Sequence, residues 1–155
     1  MGNKKPVSVL VVIHTPDLQI LLLERASHPG YWQSVTGSQE GEESLLDTAR
    51  REVAEETGIE PGKHPGAGPL TAWNLANRFE IFAEWRDRYP EGVTHNLEHV
   101  FSLELPAPCA VRIAADEHLA FRWVPWREAA DAVFSWTNRD AILLLAAQRG
   151  HLQKI

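Results

Sequence analysis

The stretch Gly37–Ile59, GSQEGEESLLDTARREVAEETGI, places Glu52, Glu55 and Glu56 together in a segment that reads as a helix. Residues three and four apart are neighbours on a helix, and like charges so placed repel by roughly 0.2–0.5 kcal/mol per pair. A solvated face is the ordinary explanation of such a pattern. A divalent cation is the other, because it turns the repulsion into coordination. Gly37 lies just before the helix and can bring its backbone carbonyl where a side chain would block it. Several carboxylates and a carbonyl form a hard oxygen set of the kind that Mg²⁺ or Mn²⁺ prefers.

Ser44 to Thr57 is the clearest helix in the chain. Leu45, Leu46, Ala49 and Val53 recur at helical spacing as an apolar stripe, and Gly58 follows as a stop. Upstream, Val7–Ile13 is rich in β-branched residues and reads as a buried strand. Ile20–Glu24 reads as its hairpin partner, and Trp32–Val35 as a short extended piece. Pro61–Pro69 is a loop. Leu70–Leu75, Arg78–Trp85, Leu97–Leu105, Val111–Ala114 and Phe121–Val124 read as strands. Trp126–Val133 and Asn138–Gln148 read as helices, the second with the apolar face Ile142, Leu145 and Ala146. No repeat or linker divides the chain. The expected architecture is α+β, a mixed sheet covered by helices, in one domain over residues 1–155.

The 155 residues suffice for one core, and the net charge of −6 argues against a broad surface for nucleic acid or anionic membrane. An anionic substrate remains compatible through a bridging metal ion. The single cysteine, Cys109, excludes an internal disulfide and fits a reducing, cytoplasmic setting. No apolar run approaches the ~20 residues needed to span a bilayer.

The stretch resembles the signature of the Nudix hydrolases: Gly, five residues, Glu, seven residues, then Arg-Glu-aliphatic-any-Glu-Glu-any-Gly-aliphatic. Gly37, Glu43, Arg51, Glu52, Val53, Glu55, Glu56, Gly58 and Ile59 occupy those positions. The resemblance implies a mixed sheet sandwiched between helices and hydrolysis of a nucleoside diphosphate linked to another group. It implies Glu52, Glu55 and Glu56 as carboxylates for Mg²⁺, with Mn²⁺ as a substitute. It leaves open which of them orients or deprotonates the attacking water. It makes Glu43 and Arg51 a bracing ion pair. Beyond the signature, PVSVLVVIH, YWQSVTGSQEGEE, the run from Arg78 to Pro106 and DEHLAFRWV are similar to the bacterial dihydroneopterin triphosphate pyrophosphohydrolases, also described as dATP pyrophosphohydrolases.

That closer likeness implies Glu117 as a further metal ligand or base, and Lys4 and Arg25 as phosphate contacts. It implies Thr36 as a hydroxyl donor to substrate, and Phe79, Glu80, Ile81 and Phe82 as a wall for the ring. Ser135 is implied as a ring contact, with helix entry as its other reading. Trp32 reads as packing. His95, His99 and His118 read as structural or surface residues, since none has zinc-type spacing. The expected partner is a pterin or nucleoside triphosphate, and the oligomeric state stays open. The competing readings are a Nudix hydrolase for an oxidised nucleotide, a dinucleoside polyphosphate or an RNA 5′ end, and a ligand-binding module without turnover.

Overall fold

A computed structural model describes residues 2–150, so the expected domain of residues 1–155 extends past the described chain at both ends. The strands are β1 (Val7–His14), β2 (Gln19–Arg25), β3 (Trp32–Gln33), β4 (Val35–Ser38), β5 (Thr71–Glu80), β6 (His95–Glu104) and β7 (His118–Pro125). The α-helices are α1 (Leu45–Thr57), α2 (Trp126–Ala132) and α3 (Trp136–Gln148), with a 3₁₀ turn over Ala83–Arg88. None of the described helices is long and apolar enough to cross a membrane.

The seven strands form one mixed sheet in the order β3-β2-β1-β6-β5, with β4 added to β1 and β7 added to β2. Strand β1 lies parallel to β6 along its whole length. It is buried on both faces, which is why its sequence is continuously apolar. Side chains alternate across a strand. Val9, Val11 and Ile13 therefore join Ala49 and Val53 of α1 in one cluster. Leu10 and Val12 join Trp126, Ile142 and Leu145 of α2 and α3 in the other. The expected helix–sheet–helix sandwich is thus present.

The sheet opens near its middle. Strands β1 and β2 share only the rung His14↔Ile20. The chain then passes from the edge of β2, through β3, to the edge of β1, through β4. Ser34 makes the crossing. Its backbone N–H donates to Asn138 Oδ1 at 2.8 Å, and Asn138 Nδ2 donates to Ser34 Oγ at 3.0 Å, all buried. Asn138→Leu orphans these groups, and a buried unsatisfied polar group costs about 1–3 kcal/mol. The variant is expected to lose about 2–3 kcal/mol in urea unfolding; an unchanged midpoint and slope would remove Asn138 from this role.

Three expectations need correction. Leu70–Leu75 and Arg78–Trp85 are not two strands. A single strand, β5, carries a bulge between Ala72 and Ala76, where Asn74 takes a φ of 55°. Its end is turned into the 3₁₀ segment, where Arg86 Nε donates to Ile81 O at 3.0 Å and Arg86 Nη2 pairs with Glu80 at 2.8 Å. Val111–Ala114 is not a strand either. Val111 and Ile113 pack on the α1 cluster, but the segment joins no ladder. Finally, Leu46 is 40% exposed and lies off the apolar stripe of α1. The buried face runs through Ala49 and Val53 to Glu56, a carboxylate on the core side of the helix.

Candidate active site

Helix α1 is fixed at both ends. Ser44 Oγ accepts from Asp47 N at 3.1 Å, and Gly58 closes the helix with a φ of 77°. Strand β4 delivers Gly37 against its flank so closely that a Cβ there would overlap the Glu52 carboxylate. A side chain at that point would push the Glu52 carboxylate out of its place.

Arg51 organises the acidic residues. Its Nη2 lies 2.7 Å from Glu43 Oε1, and its Nε donates to Glu43 Oε2 at 3.2 Å. Nη2 also donates to Ser38 O at 2.9 Å, tying α1 to the end of β4. Nη1 reaches Glu52 at 2.7 Å and Glu55 at 3.3 Å. The hydrogen bond from Arg51 holds the Glu43 carboxyl down at about 2, against burial. A depressed carboxyl stabilises the fold fully above its unfolded value near 4.5, and that support is lost as pH falls toward about 2. Arg51→Gln is therefore expected to lower the melting temperature at neutral pH, with the gap to the parent closing between pH 4.5 and 2. A gap that stays constant across that window would mean the pair is not the brace.

Glu52 and Glu56 form the acidic centre. Glu56 is 3% exposed, and its Oε1 has no hydrogen-bond partner among the described residues. Burial raises its carboxyl well above the ordinary range, and Glu52 and Glu117 raise it further. Burial likewise raises Glu52, with a hydrogen bond from Glu56 and then Arg51 pulling in the opposite direction. His118 Nε2 stands 3.8 Å from Glu56 Oε1. Burial and then Arg25 lower the imidazole to about 4, so at neutral pH it is an uncharged neighbour of Glu56 and not its ion-pair partner.

A cationic group faces this centre across one cavity of about 1060 Å³. Lys4, Arg25 and Arg88 all line it. Lys4 is lowered by burial and then by Arg88 and Arg25; Arg25 is lowered by burial and then by Arg88. These are like charges held together, the arrangement an anionic ligand relieves. Arg25 is set in place by Gln33, whose Oε1 accepts from its Nη1 at 3.0 Å, and by the Trp85 ring, 4.7 Å from the guanidinium carbon. Lys4 reaches this wall because its backbone N–H donates to Arg88 O at 3.0 Å. At the rim, Phe82, Trp85 and Phe134 form an aromatic corner, Phe82 against Trp85 at 5.0 Å and Trp85 edge-on to Phe134 at 6.0 Å.

Residues 4–145 match the NUDIX domain. The chain belongs to the NUDIX family. It is 44% identical over 142 residues to the dihydroneopterin triphosphate diphosphatase of Escherichia coli K12, covering 90% of this chain and 91% of that one. It is 38% identical over 143 residues to the enzyme of the same name from Haemophilus influenzae, covering 92% and 88%. The solved structure of the E. coli dihydroneopterin triphosphate pyrophosphohydrolase superposes with a TM-score of 0.87 at 40% identity, covering 96% of this chain and 99% of that one.

Within this NUDIX fold, the residues singled out from the sequence converge with one exception. Lys4, Arg25, Thr36, Gly37, Glu52 and Glu56 line the cavity, as do Phe79, Glu80, Ile81, Phe82, Glu117 and Ser135. Glu55 does not; its side chain is 53% exposed and turned to Arg51. As the side chains stand, no group of three His, Cys, Asp or Glu among the described residues is arranged around a common point for an ion. The Thr36 hydroxyl donates to Val9 O at 3.0 Å, so its proton is already committed. Ser135 caps α3, accepting from Asn138 N at 3.2 Å. Trp32 packs on the α2/α3 cluster beneath Arg122, while Trp136 is 47% exposed.

Sequence reasoning missed Arg88, Trp85 and Phe134, which only the folding of the 3₁₀ segment and the α2–α3 turn brings to the cavity. It also missed Asn96 and Glu98, buried polar residues of β6.

Proposed function

We propose that this NUDIX protein is a pyrophosphohydrolase that cleaves 7,8-dihydroneopterin triphosphate to the monophosphate and pyrophosphate, with dATP and other deoxynucleoside triphosphates as further substrates. The observation that carries the reading is the single cavity in which the buried Glu56 and the half-buried Glu52 face the crowded cations Lys4, Arg25 and Arg88. An acidic pole beside a basic one suits a polyphosphate chain bound partly by cations and partly through a metal ion. The names of the two bacterial relatives supply the pterin.

The donor set fits Mg²⁺, with Mn²⁺ as a substitute. Glu56 Oε1 is buried without a partner, Glu52 lies beside it, and both carboxyls are raised in a way that a dication reverses. Glu52, Glu56 and Glu117 would hold the ion, together with the Gly37 carbonyl and, after release from Arg51, Glu55. When bound, the ion neutralises charge developing on the phosphoryl oxygens and lowers the pKa of water.

The chain's own groups do the remaining work. Lys4, Arg25 and Arg88 bind the phosphate oxygens and bring the reacting anhydride toward Glu56. An ionised carboxylate among Glu52, Glu56 and Glu117 accepts the proton of the attacking water. The aromatic corner and the Phe79–Phe82 segment receive the ring and keep bulk water from the bond that breaks. The lone, half-buried Cys109 fits a cytoplasmic placement.

Pyrophosphate release from a panel of triphosphates, with and without Mg²⁺, tests the proposal. The highest kcat/KM is expected for dihydroneopterin triphosphate. Tight binding with no release from any of them would make the protein a ligand-binding module. Release from an oxidised nucleotide or dinucleoside polyphosphate in preference to the pterin would reassign the substrate.

A further inference from the structure

Glu98 is a buried carboxylate that the phosphate chemistry does not use. It is 5% exposed, and its Oε1 has no hydrogen-bond partner among the described residues. Asn96, two positions earlier on β6, is 3% exposed. Its Nδ2 donates to Ser8 Oγ at 2.7 Å, which leaves Oδ1 as a second buried acceptor without a donor. Ser8 lies beside Glu98 in the parallel β1–β6 ladder. All three residues line the cavity. They continue the sheet face that carries Leu10 and Val100, so polar groups begin where the α2/α3 core ends.

Burying a polar group without a partner is costly, and a fold with no use for Glu98 gains by an apolar residue there. Two unfilled acceptors on the floor of a ligand cavity call for a ligand edge with adjacent N–H donors. A pterin has such an edge: the ring N3–H beside the 2-amino group. Adenine pairs one donor, the 6-amino group, with an acceptor, N1.

We propose that Glu98 is the specificity-determining residue of this site, its carboxylate accepting the N3–H and 2-amino hydrogens of a pterin ring, with Asn96 Oδ1 as the adjacent acceptor. This rests on the pterin reading of the function. Burial pushes the Glu98 carboxyl up to about 7, with a Thr137 hydroxyl pulling it down. A protonated carboxyl offers one donor and one acceptor, which matches adenine. One side chain therefore accommodates both rings, by different forms.

Glu98→Gln tests the assignment, because a carboxamide presents one donor and one acceptor permanently. The variant keeps shape and loses a buried charge, so its melting temperature is expected to equal or exceed that of the parent. For dihydroneopterin triphosphate kcat/KM is expected to fall about 100-fold, the scale of losing one hydrogen bond to a charged group. For dATP, with the same triphosphate tail, it is expected to change less than about threefold. Binding of unphosphorylated 7,8-dihydroneopterin, followed by its fluorescence in EDTA, is expected to weaken in parallel. That readout needs no turnover, so it separates failure of this assignment from failure of the proposed hydrolysis. A parallel loss for both substrates, or no loss for either, overturns the role of Glu98. So does free dihydroneopterin binding that is unchanged by the substitution. Should the variant not fold, a parent protein that in EDTA at pH 9, where Glu98 is ionised, binds adenosine as tightly as dihydroneopterin overturns it as well.

Discussion

Glu56→Gln is expected to reduce kcat by about 10³-fold, within the ~10²–10⁴ range of a positioned acid–base or charge-stabilising group, while raising the metal-free melting temperature. Both effects follow from one fact: the carboxylate is buried, unpartnered at Oε1 and set against Glu52. Its folded pKa is raised above the ordinary value of 4.5. Below that value the group is protonated in folded and unfolded chains alike and costs nothing. As pH rises above it, the unfolded chain ionises first, and the fold loses stability until Glu56 itself ionises. A glutamine imitates the protonated form at every pH. In EDTA the variant and the parent should therefore melt together near pH 4 and separate at pH 8, with the variant the more stable. Melting scans at the two pH values and a turnover assay check this directly. A variant that loses stability at pH 8 would show that the Glu56 charge is satisfied in the fold, and near-normal turnover would place it outside the reacting centre.

The structure shows which parts of this site were local enough to read from sequence. The Gly58 stop of α1 and the close approach of Gly37 lie within the Gly37–Ile59 stretch, where spacing determines neighbours, and the family resemblance of that stretch implied the Glu43–Arg51 brace. The burial of β1 on both faces was legible for the same reason, as a continuous apolar run. The depth of Glu56 was not, because helical periodicity names a face without saying which neighbour covers it. The stripe read on α1 included Leu46, which is exposed, and stopped short of Glu56, which is buried.

Long-range placement was less legible still. Arg88 reaches the cavity only because a bulged β5 ends in a 3₁₀ turn whose backbone pairs with residues 2 and 4. No local pattern encodes that docking. A signal for Glu98 did exist in HNLEHVFSLE. Asn96 and Glu98 share the strand parity of the buried Val100, and a carboxylate at a core-facing position is an anomaly that asks for a ligand.

Removing divalent metal is expected to abolish hydrolysis, with Mg²⁺ restoring it and Mn²⁺ substituting. Burial raises both Glu52 and Glu56 above ordinary carboxylates, and Glu52 raises Glu56 further, whereas the hydrogen bond with Glu56 pulls Glu52 back down, so the pair favours a proton held on Glu56. A dication reverses that preference, so metal binding must release protons. Titrating Mg²⁺ into EDTA-treated, desalted protein in weakly buffered solution should acidify the solution and raise the melting temperature. Glu56→Gln, which has no proton to release there, should show a smaller acidification. The same loading requires Arg51 to give up part of its hold on Glu52 and Glu55 while keeping Glu43, whose carboxyl is held down at about 2 and stays ionised throughout. Arg51→Gln is then expected to bind Mg²⁺ without abolishing proton release, since the brace is separate from the acids that titrate. Full activity in EDTA, or Mg²⁺ binding with no proton released by the parent protein, would detach Glu52 and Glu56 from metal chemistry. It would leave the cost of burying Glu56 without a function to offset it.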